Sequence, residues 1–180
     1  MSIRRRSNSE GGMISILDIV HDTMVDGPGF RTSIYGAGCP NACPGCHNPQ
    51  SWAIEAGHWM STDEIMDEIL SDPFANVTFT GGDPMFQPEG FLDLAKAIRR
   101  ESKKNIWCFT GYRFEQLVKS AEQRALLEHI DVLMDGPFVM VLRDPDLLFR
   151  GSSNQRAILV GESLRQGRVV ELSNEDILSM

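Results

Sequence analysis

The sequence predicts an α/β fold: an incomplete parallel (β/α) barrel followed by a C-terminal hairpin. Three observations carry that reading. Short apolar runs alternate with stretches of helical period, the order of strand–helix–strand units with right-handed crossovers. The runs are short and nearly all apolar, as buried parallel strands are. The 180 residues can build one domain with a real core, but a closed eight-fold barrel takes roughly 250 residues.

Residues 1–12, "MSIRRRSNSEGG", are polar and basic with no apolar stretch behind them. They read as a disordered tail rather than a secretory signal, leaving one folded domain over 13–180. Thr32–Gly36 is a strand that runs into a cysteine-rich loop. Ser61–Ser71 is a helix: Ser61 caps it, Glu64 completes a capping box, and Ile65, Met66 and Ile69 face inward. Asn76–Gly82 is a strand ending in a glycine pair. Glu89–Ser102 is a helix with Phe91, Leu92, Ala95 and Ile98 inward. Asn105–Gly111 is a strand, Phe114–Glu128 is helical with a break near Ser120, and Ile130–Gly136 is a strand again. Ala157–Val160 and Val169–Leu172 flank a glycine-containing loop and predict a hairpin.

A net charge of −8 argues against a nucleic-acid partner. No apolar run reaches the ~18 residues of a membrane span. Without a signal segment the expected location is the cytoplasm, where clustered cysteines bind metal or do redox chemistry rather than form disulfides.

Ligands of open α/β sheets bind at the carboxyl ends of the strands. The unusual sequences sit there: the cysteine loop after Gly36, "GGDP" after Thr80, "TGY" after Phe109 and "DGPF" after Met134. They point to one shared site. No phosphate-binding loop and no nucleophile–base arrangement occurs.

In "GCPNACPGCHN" (Gly38–Asn48) Cys39, Cys43 and Cys46 are spaced C-x3-C-x2-C. Pro40, Pro44, Gly38 and Gly45 let so short a loop turn its thiols together. A structural zinc site needs a fourth ligand, here His47, His58 or Cys108. His47 adjoins Cys46, a poor spacing around one tetrahedral ion, and Cys108 lies within an apolar strand. A four-iron cluster takes four cysteines, and three leave one iron open to another ligand. A zinc-binding structural module remains the alternative.

"CPNACPGC" is similar to the signature of radical S-adenosylmethionine enzymes, and neighbouring segments narrow the resemblance. "VDGPGFR" (Val25–Arg31), "SIYGAGC" and "CHNPQSW" (Cys46–Trp52) resemble the activases of glycyl-radical enzymes. "GGDP" (Gly81–Pro84) matches their GGEP-type segment with Asp in place of Glu. "IWCFTGY" (Ile106–Tyr112) and "LLFRGSSNQR" (Leu147–Arg156) look like the activases of anaerobic ribonucleotide reductase. The resemblance spans roughly Met13 to Arg156.

It implies a partial barrel of the radical S-adenosylmethionine type and a [4Fe-4S] cluster ligated by Cys39, Cys43 and Cys46. The fourth iron would take the amino and carboxylate groups of S-adenosylmethionine. Gly45, Cys46 and His47 would lie near the adenine, with Gly81, Gly82 and Asp83 near the methionyl amino group. Reductive cleavage would give a 5′-deoxyadenosyl radical that makes a glycyl radical on the large subunit of anaerobic ribonucleotide reductase. An electron donor such as flavodoxin would be needed, and no catalytic residue beyond the cluster is implied. A pyruvate formate-lyase-type partner is the alternative with the same chemistry.

Overall fold

Four of the apolar runs lie side by side in parallel register. The structure, a computed structural model, describes residues 12–180; the tail expected over residues 1–12 lies, apart from Gly12, outside the described residues. The parallel strands are β2 (Arg31–Gly36), β4 (Asn76–Gly81), β5 (Ile106–Phe109) and β6 (Val132–Asp135), paired in that order. β1 (Met13–Thr23) runs antiparallel beside β2, and the edge strand β3 (His58–Ser61) antiparallel beside β1. At the other edge β7 (Arg156–Leu159) is antiparallel to β6. The described residues thus form one open seven-stranded sheet, ordered β3-β1-β2-β4-β5-β6-β7. The α/β class and the parallel centre agree with the sequence; both flanks are antiparallel.

β1 and β3 are additions to the predicted strands. β1 carries register shifts between Ile16 and Asp18 and between Val20 and Thr23. A bulge breaks the two-residue period by which a strand is recognised. β3 is a four-residue edge whose His58 and Trp59 are exposed, so no apolar run marks it.

Helix α1 (Thr62–Ser71) starts as its capping box dictates: Ser61 Oγ accepts from Glu64 N, and the Glu64 carboxylate accepts from Ser61 N. Ile65, Met66 and Ile69 are fully buried. In α2 (Pro88–Glu101) Phe91, Leu94, Ala95 and Ile98 point inward, and Leu92, expected among them, is only partly covered. The third helical stretch does break at Ser120, which ends the connection after α3 (Phe114–Leu117) and caps α4 (Ala121–Leu127) by accepting from Gln123 N. These four helices cover one face of the sheet.

The predicted C-terminal hairpin is corrected in its connection. Its arms do approach antiparallel, with Leu159 N donating to Val170 O and Leu172 N to Ala157 O, yet only one isolated bridge forms, Ile158 to Glu171. Helix α5 (Val160–Gln166) takes the place of the expected glycine-containing loop and ends at left-handed Gly167. Helix α6 (Asn174–Leu178) then brings Ile177 onto Trp107, Val132, Met134 and Ala157 on the second face.

Two glycines set how closely the carboxyl ends of β2 and β4 approach. Gly81 has φ +98°, and a Cβ there would stand 2.6 Å from Gly36 O; a Cβ on Gly82 would stand 2.5 Å from Gly38 O. Gly82 N donates to Gly36 O and Asp83 N to Gly38 O. Side chains would push the two loops apart. Gly81→Ala should therefore cost on the order of 2–3 kcal/mol, from left-handed strain plus the clash. An unchanged urea midpoint for that variant would contradict this packing.

Candidate functional site

The four strand-end segments converge on one cavity of about 420 Å³. Cys39, Cys43, Cys46 and His47 line it from the loop after β2, Gly81 and Gly82 from β4, Thr110 and Gly111 from β5, and Gly136 and Phe138 from β6. Asp26, Tyr35, Asn41, Asn48 and Gln155 complete the polar lining. The strand-end segments expected to share a site thus border the same cavity.

The cysteine loop folds back on itself through left-handed residues: Gly38 (φ +87°), Ala42 (φ +40°) and Gly45 (φ +76°). Cys46 N donates to Cys43 O, closing the second half of the loop. The three thiols are half-buried and unbridged. Two donors face their sulfurs: Asn48 N is 3.4 Å from Cys46 Sγ, and Asn41 Nδ2 is 3.7 Å from Cys39 Sγ. Burial raises the pKa of the Cys39 thiol, and the Asn41 donors partly offset that. Cys108 lies in β5, fully buried, its thiol pushed well above the ordinary range by burial; it does not line the cavity.

Among the described residues no three His, Cys, Asp or Glu side chains are placed to hold a single metal ion. A tetrahedral zinc requires donors about 2.0–2.3 Å from one centre. A four-iron cluster takes one thiolate per iron, so its ligands stand around a body rather than on a point. Three half-buried thiols lining one cavity, with N–H donors facing two of them, fit the second arrangement.

His47 is exposed, its ring edge-on to Phe138 at 5.6 Å between centroids. It is an aromatic face on the cavity rim and makes no convergent set with another ligand. Gly45, expected beside it, does not line the cavity; it packs against Met140, whose Cε would stand 1.9 Å from a Cβ there. Asp83 sits differently from its neighbours Gly81 and Gly82. Its side chain is 1% exposed and absent from the cavity wall. Oδ1 accepts from Met85 N and Thr110 Oγ1, and Oδ2 from Gly111 N and Asn41 Nδ2. Burial raises its pKa to about 6 despite these four donors.

Other motif residues turn out to be braces. Arg31, of "VDGPGFR", is fully buried. Its guanidinium donates to Thr78 Oγ1, Val77 O, Asn105 Oδ1 and Pro28 O, and stacks 5.3 Å from the Trp107 ring centroid. Desolvation lowers its pKa to about 10, so it stays charged at neutral pH. This clamp holds the Val25–Arg31 turn over the sheet and brings Asp26 to the cavity, where Oδ2 accepts from Tyr35 OH at 2.6 Å. In "RGSSNQR", Asn154 donates to Pro137 O and Gln155 to Gly136 O, fastening the DGPF loop. Arg156 pairs with buried Asp135 and with Glu115, holding Glu115 at about 2.

Sequence reasoning passed over Asp26, Asn41, Asn48 and Thr110. Each lay in or beside a quoted motif, which is the signal that marks them.

An open α/β sheet with three thiols and a glycine pair around one cavity suits a single-cluster iron–sulfur domain. A family model described as a 4Fe-4S single cluster domain matches residues 25–158. The anaerobic ribonucleoside-triphosphate reductase-activating protein of Haemophilus influenzae is 37% identical over 142 residues, covering 73% of this chain and 89% of that protein. The protein of that name from Escherichia coli is also 37% identical over 142 residues, covering 73% and 90%. The one from Enterobacteria phage T4 is 32% identical over 139 residues, covering 73% and 85%. The chain belongs to the family of anaerobic ribonucleoside-triphosphate reductase-activating proteins. Among the described residues no helix is long and apolar enough to cross a membrane.

Asp83 has a pH signature. Its folded pKa lies above the ordinary aspartate value of 3.8, so the folded state binds the proton more tightly. The associated stability is fully present below about 3.8 and is lost as pH rises through about 6. Urea unfolding of the cluster-free chain should show wild type losing stability relative to Asp83→Asn across that window. Parallel pH profiles for the two would contradict the buried-carboxylate reading.

Proposed function

We propose that the chain activates an anaerobic ribonucleotide reductase by radical S-adenosylmethionine chemistry, its open sheet acting as a partial barrel. The observation that carries this is the convergence of Cys39, Cys43, Cys46, Gly81 and Gly82 on one cavity, in a chain of the reductase-activating family. Cys39, Cys43 and Cys46 would each hold one iron of a [4Fe-4S] cluster. With Cys108 buried away from the cavity, the fourth iron would remain open to the amino and carboxylate groups of S-adenosylmethionine. When bound, the cluster and S-adenosylmethionine would supply a 5′-deoxyadenosyl radical able to take a hydrogen atom from a glycine Cα of the reductase large subunit. The electron would come from a donor such as flavodoxin.

This chain's residues position and shield. Gly81 and Gly82 present backbone rather than side chains to the cavity, which lets their carbonyls approach an ammonium group. His47 and Phe138 offer the aromatic rim for the adenine, with Cys46 backbone beside it. Asp83 serves there through the loops that it bonds. Phe109, Met134 and Phe138 give the cavity an apolar side, which limits the water available to quench a reactive intermediate. A second cleft shares Asp26, His47, Phe109, Met134, Phe138 and Gln155 with the first and opens past Val25, Phe149 and Arg150. That is room for a polypeptide loop to reach the cavity. The predicted cytoplasmic location fits a reduced, oxygen-sensitive centre.

The test is anaerobic reconstitution with iron and sulfide, reduction, and addition of S-adenosylmethionine. 5′-Deoxyadenosine should form with wild type and Cys108→Ala, and should vanish together with the cluster in Cys39→Ala, Cys43→Ala and Cys46→Ala. No 5′-deoxyadenosine from a cluster-loaded wild type would refute the reading. One equivalent of zinc and no iron in anaerobically purified protein would point instead to the structural zinc module.

A further inference from the structure

Two side chains of the cysteine loop reach the β4 segment, Asn48 to Gly81 O and Asn41 to Asp83, and only Asn41 also faces a cysteine sulfur with its side-chain amide among the described residues. Its Nδ2 is 3.1 Å from Asp83 Oδ2 and 3.7 Å from Cys39 Sγ. An amide nitrogen carries two hydrogens, so one atom can serve both acceptors. The arrangement is fixed from two sides. Asp83 lies buried among donors from three segments, Met85 N, Thr110 Oγ1 and Gly111 N besides Asn41. A carboxylate accepts and does not donate, so the amide cannot flip its oxygen toward Asp83 without repulsion. On the other side Gly111 packs so tightly that a Cβ there would stand 2.2 Å from Asn41 Nδ2. The amide is therefore trapped with its N–H groups toward Cys39.

We propose that Asn41 is a positioning residue that tunes the cluster, donating an oriented N–H to the Cys39 sulfur with Asp83 as its anchor. Hydrogen bonds to ligating sulfurs are among the determinants of iron–sulfur reduction potentials. A donor on the thiolate stabilises the more electron-rich reduced state and so raises the potential. The inference rests on Cys39 being a cluster ligand, as proposed above. It adds a role for a side chain that neither the cysteine spacing nor the family comparison assigns, and it gives Asp83 a function away from direct cofactor contact.

The experiment is a redox titration of the reconstituted chain, following the cluster by visible absorbance and electron paramagnetic resonance. Wild type is compared with Asn41→Ala, which removes the donor, and Asn41→Leu, which keeps the side chain's approximate shape and carries no N–H. Both variants should keep wild-type iron and sulfide content and show a more negative midpoint potential, by a similar amount. An unchanged midpoint in cluster-loaded Asn41→Ala would overturn the proposal. Cluster loss from both variants would also overturn it, since Asn41 would then hold the loop rather than tune the sulfur. A wild type that takes up no cluster would sink the cysteine ligation itself, a separately readable failure.

Discussion

A buried carboxylate with no salt-bridge partner among the described residues organises the carboxyl end of the sheet. Asp83 collects four donors from the β2, β4 and β5 loops. Burying a charge costs several kcal/mol unless hydrogen bonds replace its water, so those donors cannot drift without exposing the penalty. The loops they belong to are the ones that carry Cys39, the Gly81–Gly82 pair and the Thr110–Gly111 turn. One residue at the end of β4 thus fixes the relative positions of the thiols and the glycine backbone. The glycines make this possible: without them β4 could not come close enough to β2 for Asp83 N to reach Gly38 O.

Arg31 is the counterpart on the other face. Its charge is dispersed over two backbone carbonyls, a threonine, an asparagine and the face of Trp107. A guanidinium suits this role because its planar fork meets several acceptors while stacking on a ring. Trp107 is also met edge-on by Phe149, 5.8 Å between centroids, so the clamp reaches the segment that leads into "RGSSNQR". The turn over β2 and the C-terminal loops are thereby tied through one tryptophan, and the cleft between them opens onto the cavity.

Much of the fold was legible in the sequence because its signals are local. The Ser61–Glu64 capping box, the inward set of α1, the break at Ser120 and the four parallel strands all rest on patterns within a dozen residues. β1 escaped notice where bulges interrupt its alternation, and β3 where a short exposed edge leaves no apolar run. The predicted hairpin brought its two arms together but overstated the second, which forms one isolated bridge, and missed α5, whose first residue, Val160, reads equally well as the end of a strand. In the site, the cysteines and glycines were legible from spacing and strand-end position. Asn41, Asp26 and the true environment of Asp83 were not, because the contacts that define them are distant: Asp26 to Tyr35 spans 9 positions, Asp83 to Thr110 spans 27 and Asn41 to Asp83 spans 42. Local pattern cannot supply such contacts.

In the proposed function this cavity delivers a radical to a glycine of an anaerobic ribonucleotide reductase. The direct measurement is electron paramagnetic resonance on an anaerobic mixture of the reduced, cluster-loaded chain, S-adenosylmethionine and an anaerobic ribonucleoside-triphosphate reductase. The account predicts a glycyl-radical signal that requires all three components. A mixture in which S-adenosylmethionine is consumed and no glycyl radical appears, while a pyruvate formate-lyase-type partner does acquire one, would contradict it.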